Sequence, residues 1–458
     1  MNRLQHRERR FTQILLLLLD GLALFAAFYL ALNLRFSQNS LIHIFRRAFD
    51  YAAFANFFDN GRFLVIYGLL IFSFYLFDLY EPRHWRTRIF SPLRLILGTV
   101  LFALLSFAWF FFFMEKARGM FGRGVFLGTT ILFVPISMTI RYLMDKWERS
   151  RREKQAWLFI GDLKHYQLLK ADLQRVDFRA NLEFRDFSLA PSEIPMILRQ
   201  DWTGVVVGTH APETLTNLLM KARLRGLAVL SLQSFYEFYC GKIPVHSLDD
   251  AWFAFTEGFA ILHSPMSVRM KRVTDIVLST LLIILSAPIV LLTALFVRLE
   301  SHGSAFFKQT RVGIDGRVFT MWKLRSMCKD AEKEGAIWAT AKDARVTRIG
   351  RFIRKTRIDE LPQLWNILVG DMSFVGPRPE RPEFTRQLSE KIPFYDFRHL
   401  VKPGLTGWAQ VMFPYGASEN DAREKLQYEL FYIKNYSFDL DLEIVFRTVT
   451  VVLFGSGR

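Results

Sequence analysis

Four apolar runs, at residues 11–34, 63–77 extended to about 80, 93–114 and 122–142, constrain this chain most, because each approaches the ~20 apolar residues that cross a bilayer as a helix. Their flanks give the expected orientation. Arg3, Arg7, Arg9 and Arg10 precede the first run, Arg83, Arg86, Arg88 and Arg94 surround the start of the third, and Arg141, Lys146, Arg149, Arg151, Arg152 and Lys154 follow the fourth. Cationic flanks stay on the cytoplasmic side, so both chain ends are expected there. The segment 35–62, with Arg46 and Arg47, would face outward as a mild exception. No small-residue cleavage site follows the first run, so it reads as a retained helix and not as a signal peptide. Asp20 lies inside that run and is either a functional intramembrane acid or a group hydrogen-bonded within the bundle.

The chain has 458 residues, 51% of them hydrophobic, and carries a formal net charge of +17. Such a balance suits phosphates, nucleic acid or anionic lipid. The apolar runs decide for the lipid bilayer, and no nucleic acid is expected as a partner. The chain divides into three regions: 1–150, a four-helix transmembrane region; 155–262, a small α/β module; and 263–458, a third domain. In the module, short apolar runs at 156–160, 182–187, 205–207 and 227–232 alternate with helical stretches at 166–176 and 212–225. That alternation predicts a doubly wound parallel sheet. Only Gly161 follows the first strand, too few glycines for a dinucleotide turn, so a structural, dimerising or regulatory role is expected.

The apolar segment 273–297 has Ser286 and Pro288 at its centre and cations on both sides, Arg269, Lys271 and Arg272 before it and Arg298, Lys308 and Arg311 after it. It is long enough to span, but crossing would put one basic flank outside. Pro288 removes a helix hydrogen bond, and two halves of ~12 residues would each rise ~18 Å, enough to dip into one leaflet and return. Residues 442–454 are apolar but carry Glu443 and Arg447, so they are expected at the membrane surface or in the core. Cys240 and Cys328 read as free thiols, and single histidines such as His302 and His399 form no ligand cluster.

Asp359 and Glu360 sit among Arg354, Lys355 and Arg357, just before Pro362 and a helical pattern of Leu361, Leu364, Trp365 and Leu368. Two readings stay open. Asp359 is an N-cap, or the pair binds and attacks phosphate: one carboxylate kept ionised by cations as nucleophile, its neighbour holding a divalent cation.

The surrounding blocks carry a resemblance. They include Lys323-Leu324-Arg325-Ser326-Met327, Asp359-Glu360-Leu361-Pro362-Gln363, Gly376-Pro377-Arg378-Pro379, Lys402-Pro403-Gly404-Leu405-Thr406-Gly407-Trp408-Ala409-Gln410 and Tyr432-Ile433-Lys434-Asn435, with further blocks at 306–313 and 343–350. From Arg269 onward the chain resembles the bacterial sugar transferase domain of the polyprenyl-phosphate phosphoglycosyl transferases. The resemblance implies a membrane protein of α plus α/β class: a Rossmann-like module at 155–262, then a mainly helical monotopic catalytic domain at 263–458 with a re-entrant helix hairpin at 273–297. It implies Asp359 as nucleophile on a nucleoside-diphosphate sugar, Glu360 as Mg²⁺ ligand, and Arg354 and Arg378 on phosphate. Lys323 and Arg325 are weaker phosphate candidates, with solvated or lipid-contacting charges as their alternative, and Asp441 matches a carboxylate near the active site. The expected partners are a UDP-sugar, undecaprenyl phosphate, the bilayer, downstream glycosyltransferases and a second copy in a homodimer. The expected place is the bacterial inner membrane, multi-pass, with the catalytic domain cytoplasmic.

Two departures stand out. Glu429 replaces the family's more common Asp, and Met412-Phe413-Pro414-Tyr415-Gly416-Ala417-Ser418 replaces an Asn-Gly-Arg segment, a variant similar to the exopolysaccharide and exosortase-associated branch. Two rivals remain: a non-catalytic membrane scaffold, and a glycosyltransferase that moves the sugar without its phosphate. The released nucleotide separates all three.

Overall fold

The computed structural model describes residues 2–36, 62–80, 91–113, 123–328, 345–413 and 416–454, apart from 78, 154, 177, 179, 189–192, 194, 195, 197–199, 210 and 417. The loop with Arg46 and Arg47, the flanking Arg83, Arg86, Arg88 and Lys154, and Asp343, Pro414 and Tyr415 lie outside the described residues.

The apolar runs form helices α1 (Asn2–Phe36), α2 (Arg62–Leu76), α3 (Ser91–Phe113) and α4 (Arg123–Glu153). Among the described residues, α1 and α4 contain stretches long and apolar enough to cross a membrane, whereas the apolar stretches of α2 and α3 are shorter. Helix α1 packs on α4, α2 on α3, and α3 on α4. Asp20 is fully buried and bonds to α4 through both oxygens: Arg141 Nη1 and Nη2 each donate at 2.8 Å, and Ser137 Oγ donates to Oδ1 at 2.8 Å. Of the two readings of Asp20, the hydrogen-bonded one describes what the side chain does here. A bidentate guanidinium satisfies a carboxylate that has no water to turn to.

The α/β module contains β1 (Ala156–Ile160), α5 (Leu163–Arg175), β2 (Asn181–Arg185), β3 (Gly204–Val207), α6 (Glu213–Leu224), β4 (Ala228–Ser231) and α7 (Leu232–Cys240), with strand order β2-β1-β3-β4. Asn181 N bonds Gln155 O and Gly161 N bonds Arg185 O, so β1 and β2 ascend together; the bonds from Thr203 N to Ala156 O and from Gly208 N to Ile160 O show the same for β1 and β3. Cys240 is buried and Cys328 exposed, both as free thiols. The segment after Cys240 is built into the core of the C-terminal domain. Ile243 and Val245 pack with Leu388, Ile392 and Leu426, while Phe259 and Ile261 pack with Ile367 and Tyr432.

Segment 273–297 lies within one α-helix, α8 (Pro265–Glu300). The two expected half-helices are joined at Pro288 without a non-helical turn between them. Pro288 costs the helix one donor, while the Ser286 hydroxyl bonds Leu282 O at 2.6 Å, and the helical conformation continues through the site. Both ends of α8 dock on the C-terminal domain. Near its start, Arg272 donates to Ile367 O and Leu368 O at 2.6 and 2.7 Å, and Asp275 accepts from Ser373 Oγ and Phe374 N at 3.0 Å. At its end, Glu300 Oε1 accepts from Arg348 N at 2.8 Å, and Val297 is buried with Leu324 and Ile353. Between these ends Val273, Leu281, Ile284, Leu291 and Leu295 are exposed.

Beyond α8 the strands and α-helices are an antiparallel hairpin, β5 (Phe306–Val312) and β6 (Val318–Leu324), then α9 (Arg348–Lys355), α10 (Gln363–Val369), β7 (Ser373–Val375), α11 (Pro382–Lys391), β8 (Gly404–Thr406), α12 (Trp408–Met412), α13 (Glu419–Lys434) and α14 (Phe438–Phe454). β7 pairs parallel to β8. Helix α14 contains the 442–454 run and turns Leu440, Ile444 and Arg447 inward; Arg447 pairs with Glu443 at 2.8 Å and stacks over Trp408.

Candidate active site

The chain between α9 and α10 makes one 3₁₀ turn, Ile358–Glu360, entered through Arg357 at φ 59°. This left-handed step is uncommon for a side chain larger than glycine, and it sets Asp359 inward. Asp359 does not cap α10, which corrects the capping alternative: the capping position is Pro362, which makes no side-chain cap bond. Asp359 is 7% exposed, and its Oδ1 is buried without a hydrogen-bond partner among the described residues.

Neighbouring elements bring cations to the turn. Helix α9 is capped by Thr347 Oγ1 and by Glu300, and its Gly350 lies so close to Ser326 O that a Cβ would overlap it. Arg354, one turn later on the same face, reaches the cavity that Asp359 lines. Strand β6 is tied to α10 by Asn366, whose Oδ1 accepts from Trp322 N at 3.1 Å and whose Nδ2 donates to Thr320 O at 2.8 Å. Lys323 therefore stands beside the turn, 3.5 Å from Glu360 Oε1. Arg378, just beyond β7, donates to the same oxygen at 3.1 Å, and Arg357 lies 3.6 Å from it.

The two carboxyls respond in opposite ways. Burial, then the Glu360 charge, pushes Asp359 up to about 6 against Lys323, Arg357 and Arg354. Burial also opposes the charge on Glu360, but Arg378, Lys323 and Arg357 together hold it well below the usual carboxylate range. Burial lowers the Lys323 ammonium, while Glu360 pulls it the other way.

A cavity of about 450 Å³ opens from this turn, and Asp359, Lys323, Arg325, Arg354 and Arg378 all line it. Arg325 is also tied to its neighbours: its Nη atoms donate to Ser301 O at 2.6 Å, Ser301 Oγ at 2.8 Å and His302 O at 3.1 Å, joining the end of α8 to the end of β6. Asp441 does not line the cavity. It pairs with Lys271 at 2.7 Å and accepts from Tyr432 Oη at 2.8 Å, with burial raising its proton affinity against Lys271.

Arg311, Glu380, Tyr395, Arg398 and Lys425 also line the cavity, with no site role expected for them from the sequence. Arg398 is buried, donates to Glu429 Oε1 and to Arg378 O at 2.8 Å each, and so fixes the backbone from which Arg378 reaches Glu360. Burial raises the proton affinity of Glu429 against Arg398. Arg311 falls within the 306–313 block and Arg398 lies shortly before Lys402, but no spacing rule links Arg398 to the distant Glu429.

Glu360, held ionised by its cations, beside an Asp359 oxygen that is buried without a partner among the described residues, fits the one or two carboxylates that Mg²⁺ takes together with substrate phosphates. Among the described residues no group of three or more His, Cys, Asp or Glu forms a protein-only metal cage.

Residues 266–455 match the family model described as bacterial sugar transferase. A UDP-N-acetylgalactosamine-undecaprenyl-phosphate N-acetylgalactosaminephosphotransferase of Aeromonas hydrophila is 42% identical over 239 residues, 52% of this chain and 55% of the relative. A UDP-glucose:undecaprenyl-phosphate glucose-1-phosphate transferase of Klebsiella pneumoniae is 45% identical over 188 residues, 40% of each chain. This chain thus spans about half the length of these two relatives, or less. It covers 73% of a putative undecaprenyl-phosphate N-acetylgalactosaminyl 1-phosphate transferase of Bacillus subtilis (strain 168), at 51% identity over 131 residues.

Proposed function

The chain belongs to the bacterial sugar transferase family, and from that premise we propose that it moves a sugar 1-phosphate from a UDP-hexose to undecaprenyl phosphate, releasing UMP and forming the lipid-diphosphate-linked sugar that begins an exported polysaccharide. The observation that carries this reading is the Oδ1 of Asp359, buried without a partner among the described residues, in a cavity also lined by Lys323, Arg354 and Arg378. Such a carboxylate is a nucleophile kept clear of hydrogen bonds, with cations placed for a diphosphate.

In the first half-reaction an Asp359 oxygen bonds to the β-phosphorus of the donor. The bond from that phosphorus to the bridging oxygen breaks, and UMP leaves with the oxygen and its electron pair. In the second, an oxygen of the lipid phosphate bonds to the same phosphorus and the acyl phosphate breaks, returning the Asp359 carboxylate. One phosphoanhydride replaces another, so no further energy source is needed. Lys323, Arg354 and Arg378 neutralise the phosphate oxygens, and Glu360 keeps Lys323 and Arg378 in place. Glu360, with the phosphates of the donor, would hold Mg²⁺, which supplies further charge neutralisation when bound.

The docking of both ends of α8 on one domain supports a helix that enters the bilayer with its exposed apolar residues and leaves the catalytic domain on a single side, and the basic flanks of the apolar runs favour the cytoplasmic one. A hydrocarbon core of about 30 Å cannot lie between two contacts on the same water-facing domain. The inner membrane is then the place of the reaction.

Purified protein given polyprenyl phosphate and a panel of UDP-sugars tests the reading. UMP release supports it. UDP release indicates transfer of the sugar without its phosphate, and no release indicates a scaffold.

A further inference from the structure

Lys242 is a buried cation that the reaction above does not use. It lies just beyond the end of α7, is 1% exposed, and its ammonium is shared between two halves of one compact unit. The α/β module supplies Asp172 of α5, whose Oδ2 lies 2.8 Å from Nζ, and the ring of Tyr236 at 5.6 Å. Helix α13 supplies Glu424, whose Oε2 also lies 2.8 Å away, and the ring of Tyr428 at 5.8 Å. Each acid is held in turn: Tyr236 Oη donates to Asp172 at 3.1 Å, and Gln427 Nε2 donates to Glu424 at 3.1 Å. Desolvating an ammonium is costly unless acids and polarisable faces surround it, and this cage meets both conditions.

The clamp does not stand alone. Lys434, at the end of α13, bonds both oxygens of Glu237 in α7 at 2.7 Å, Trp408 Nε1 donates to Gly241 O at 2.7 Å, and Ile243 N donates to Gln427 O at 3.0 Å. The ties to Lys434, Gln427 and Glu424 hold one side of α13. Another side lines the cavity with Ala422, Lys425 and Glu429. The groups placed for the phosphates, Lys323, Arg354 and Arg378, come from other elements.

We infer that Lys242 is a positioning residue for the donor. Through Glu424 it fixes the α13 wall, so the α/β module sets how the part of the nucleotide sugar beyond its phosphates is held. This rests on the transferase reading for its consequence, though not for the clamp itself.

The full-length protein in detergent, with Asp172→Asn and Glu424→Gln made separately, tests it. Each change keeps shape and leaves Lys242 one acid, so the fold is retained. Hydrogen exchange across residues 419–434 should quicken in both variants while that of 363–369 stays as in the wild type. The KM for the UDP-sugar should rise about three- to tenfold with kcat at saturating donor and lipid unchanged, the mark of lost binding that is uniform along the reaction. Unchanged exchange in 419–434 together with unchanged KM in both variants overturns the inference. A loss seen only as a smaller burst and a lower melting temperature, with KM unchanged, also overturns it by making the clamp merely structural. If the wild type releases no UMP from any UDP-sugar, the functional reading fails, and the exchange measurement still decides the clamp.

Discussion

Asp359 and Glu360 are adjacent in one turn yet hold their protons in opposite ways, Asp359 pushed up to about 6 and Glu360 held well below the ordinary range. The division comes from the surroundings of each side chain. Glu360 Oε1 has three cations within 3.6 Å, whereas Asp359 Oδ1 is buried without a partner among the described residues.

The pH dependence of the first half-reaction should report Asp359. With donor alone, the rate of the UMP burst should fall about tenfold per pH unit below about 6, because a protonated carboxyl cannot attack. A UDP-sugar has no phosphate monoester titrating there, so the donor does not confound the profile. A burst rate flat down to about pH 4.5 contradicts the assignment.

Stability should move against activity. Because the folded Asp359 has a raised proton affinity, the native state binds more protons than the unfolded chain between about pH 4 and 6, so this residue's contribution falls as pH rises through that window. Asp359→Asn should therefore raise the melting temperature at about pH 7.5, by an effect on the order of 1–3 kcal/mol, and lose the advantage near about pH 4. A melting temperature lowered at neutral pH would count against the raised affinity.

Much of this site was legible as residues and little of it as geometry. The Asp-Glu pair and its cations are local in sequence, and the module's strands fell close to their apolar runs, as 205–207 did to Gly204–Val207. The capping reading failed because the left-handed Arg357 inserts a separate turn before α10. Arg325 lines the cavity as a phosphate candidate should, but its bonds from Nη1 and Nη2 to His302 and Ser301 were not readable from the sequence. Arg398 with Glu429, and Lys242 with its two acids, are contacts between distant segments that no periodicity encodes. Helix α8 stays helical through Pro288, where the Ser286 hydroxyl bonds Leu282 O one turn back.

Turnover should depend on a divalent cation. EDTA should abolish UMP release and added Mg²⁺ restore it, while Glu360→Gln should recover only in part, and only at raised Mg²⁺. Full activity in chelator removes Glu360 from that role.

Membrane topology should be set by the docked ends of α8 and not by its proline. In a Cys328→Ser background, cysteines placed at the exposed Met266 and Val318 should both be labelled from the cytoplasmic side alone. Pro288→Leu, which restores a helix donor, should leave that pattern unchanged. External labelling of Val318→Cys would show that α8 crosses.

The covalent intermediate is the central claim, and the mass of the Asp359 peptide after incubation with the correct UDP-sugar and Mg²⁺, without lipid phosphate, tests it most directly. The account predicts at most one UMP released per site and a sugar phosphate added to the peptide at Asp359. It also predicts that polyprenyl phosphate removes the adduct, and that Asp359→Asn neither forms it nor retains more than about one part in 10³ of turnover. UMP release with no adduct, an adduct on another residue, or near-normal turnover in a folded Asp359→Asn protein would contradict it.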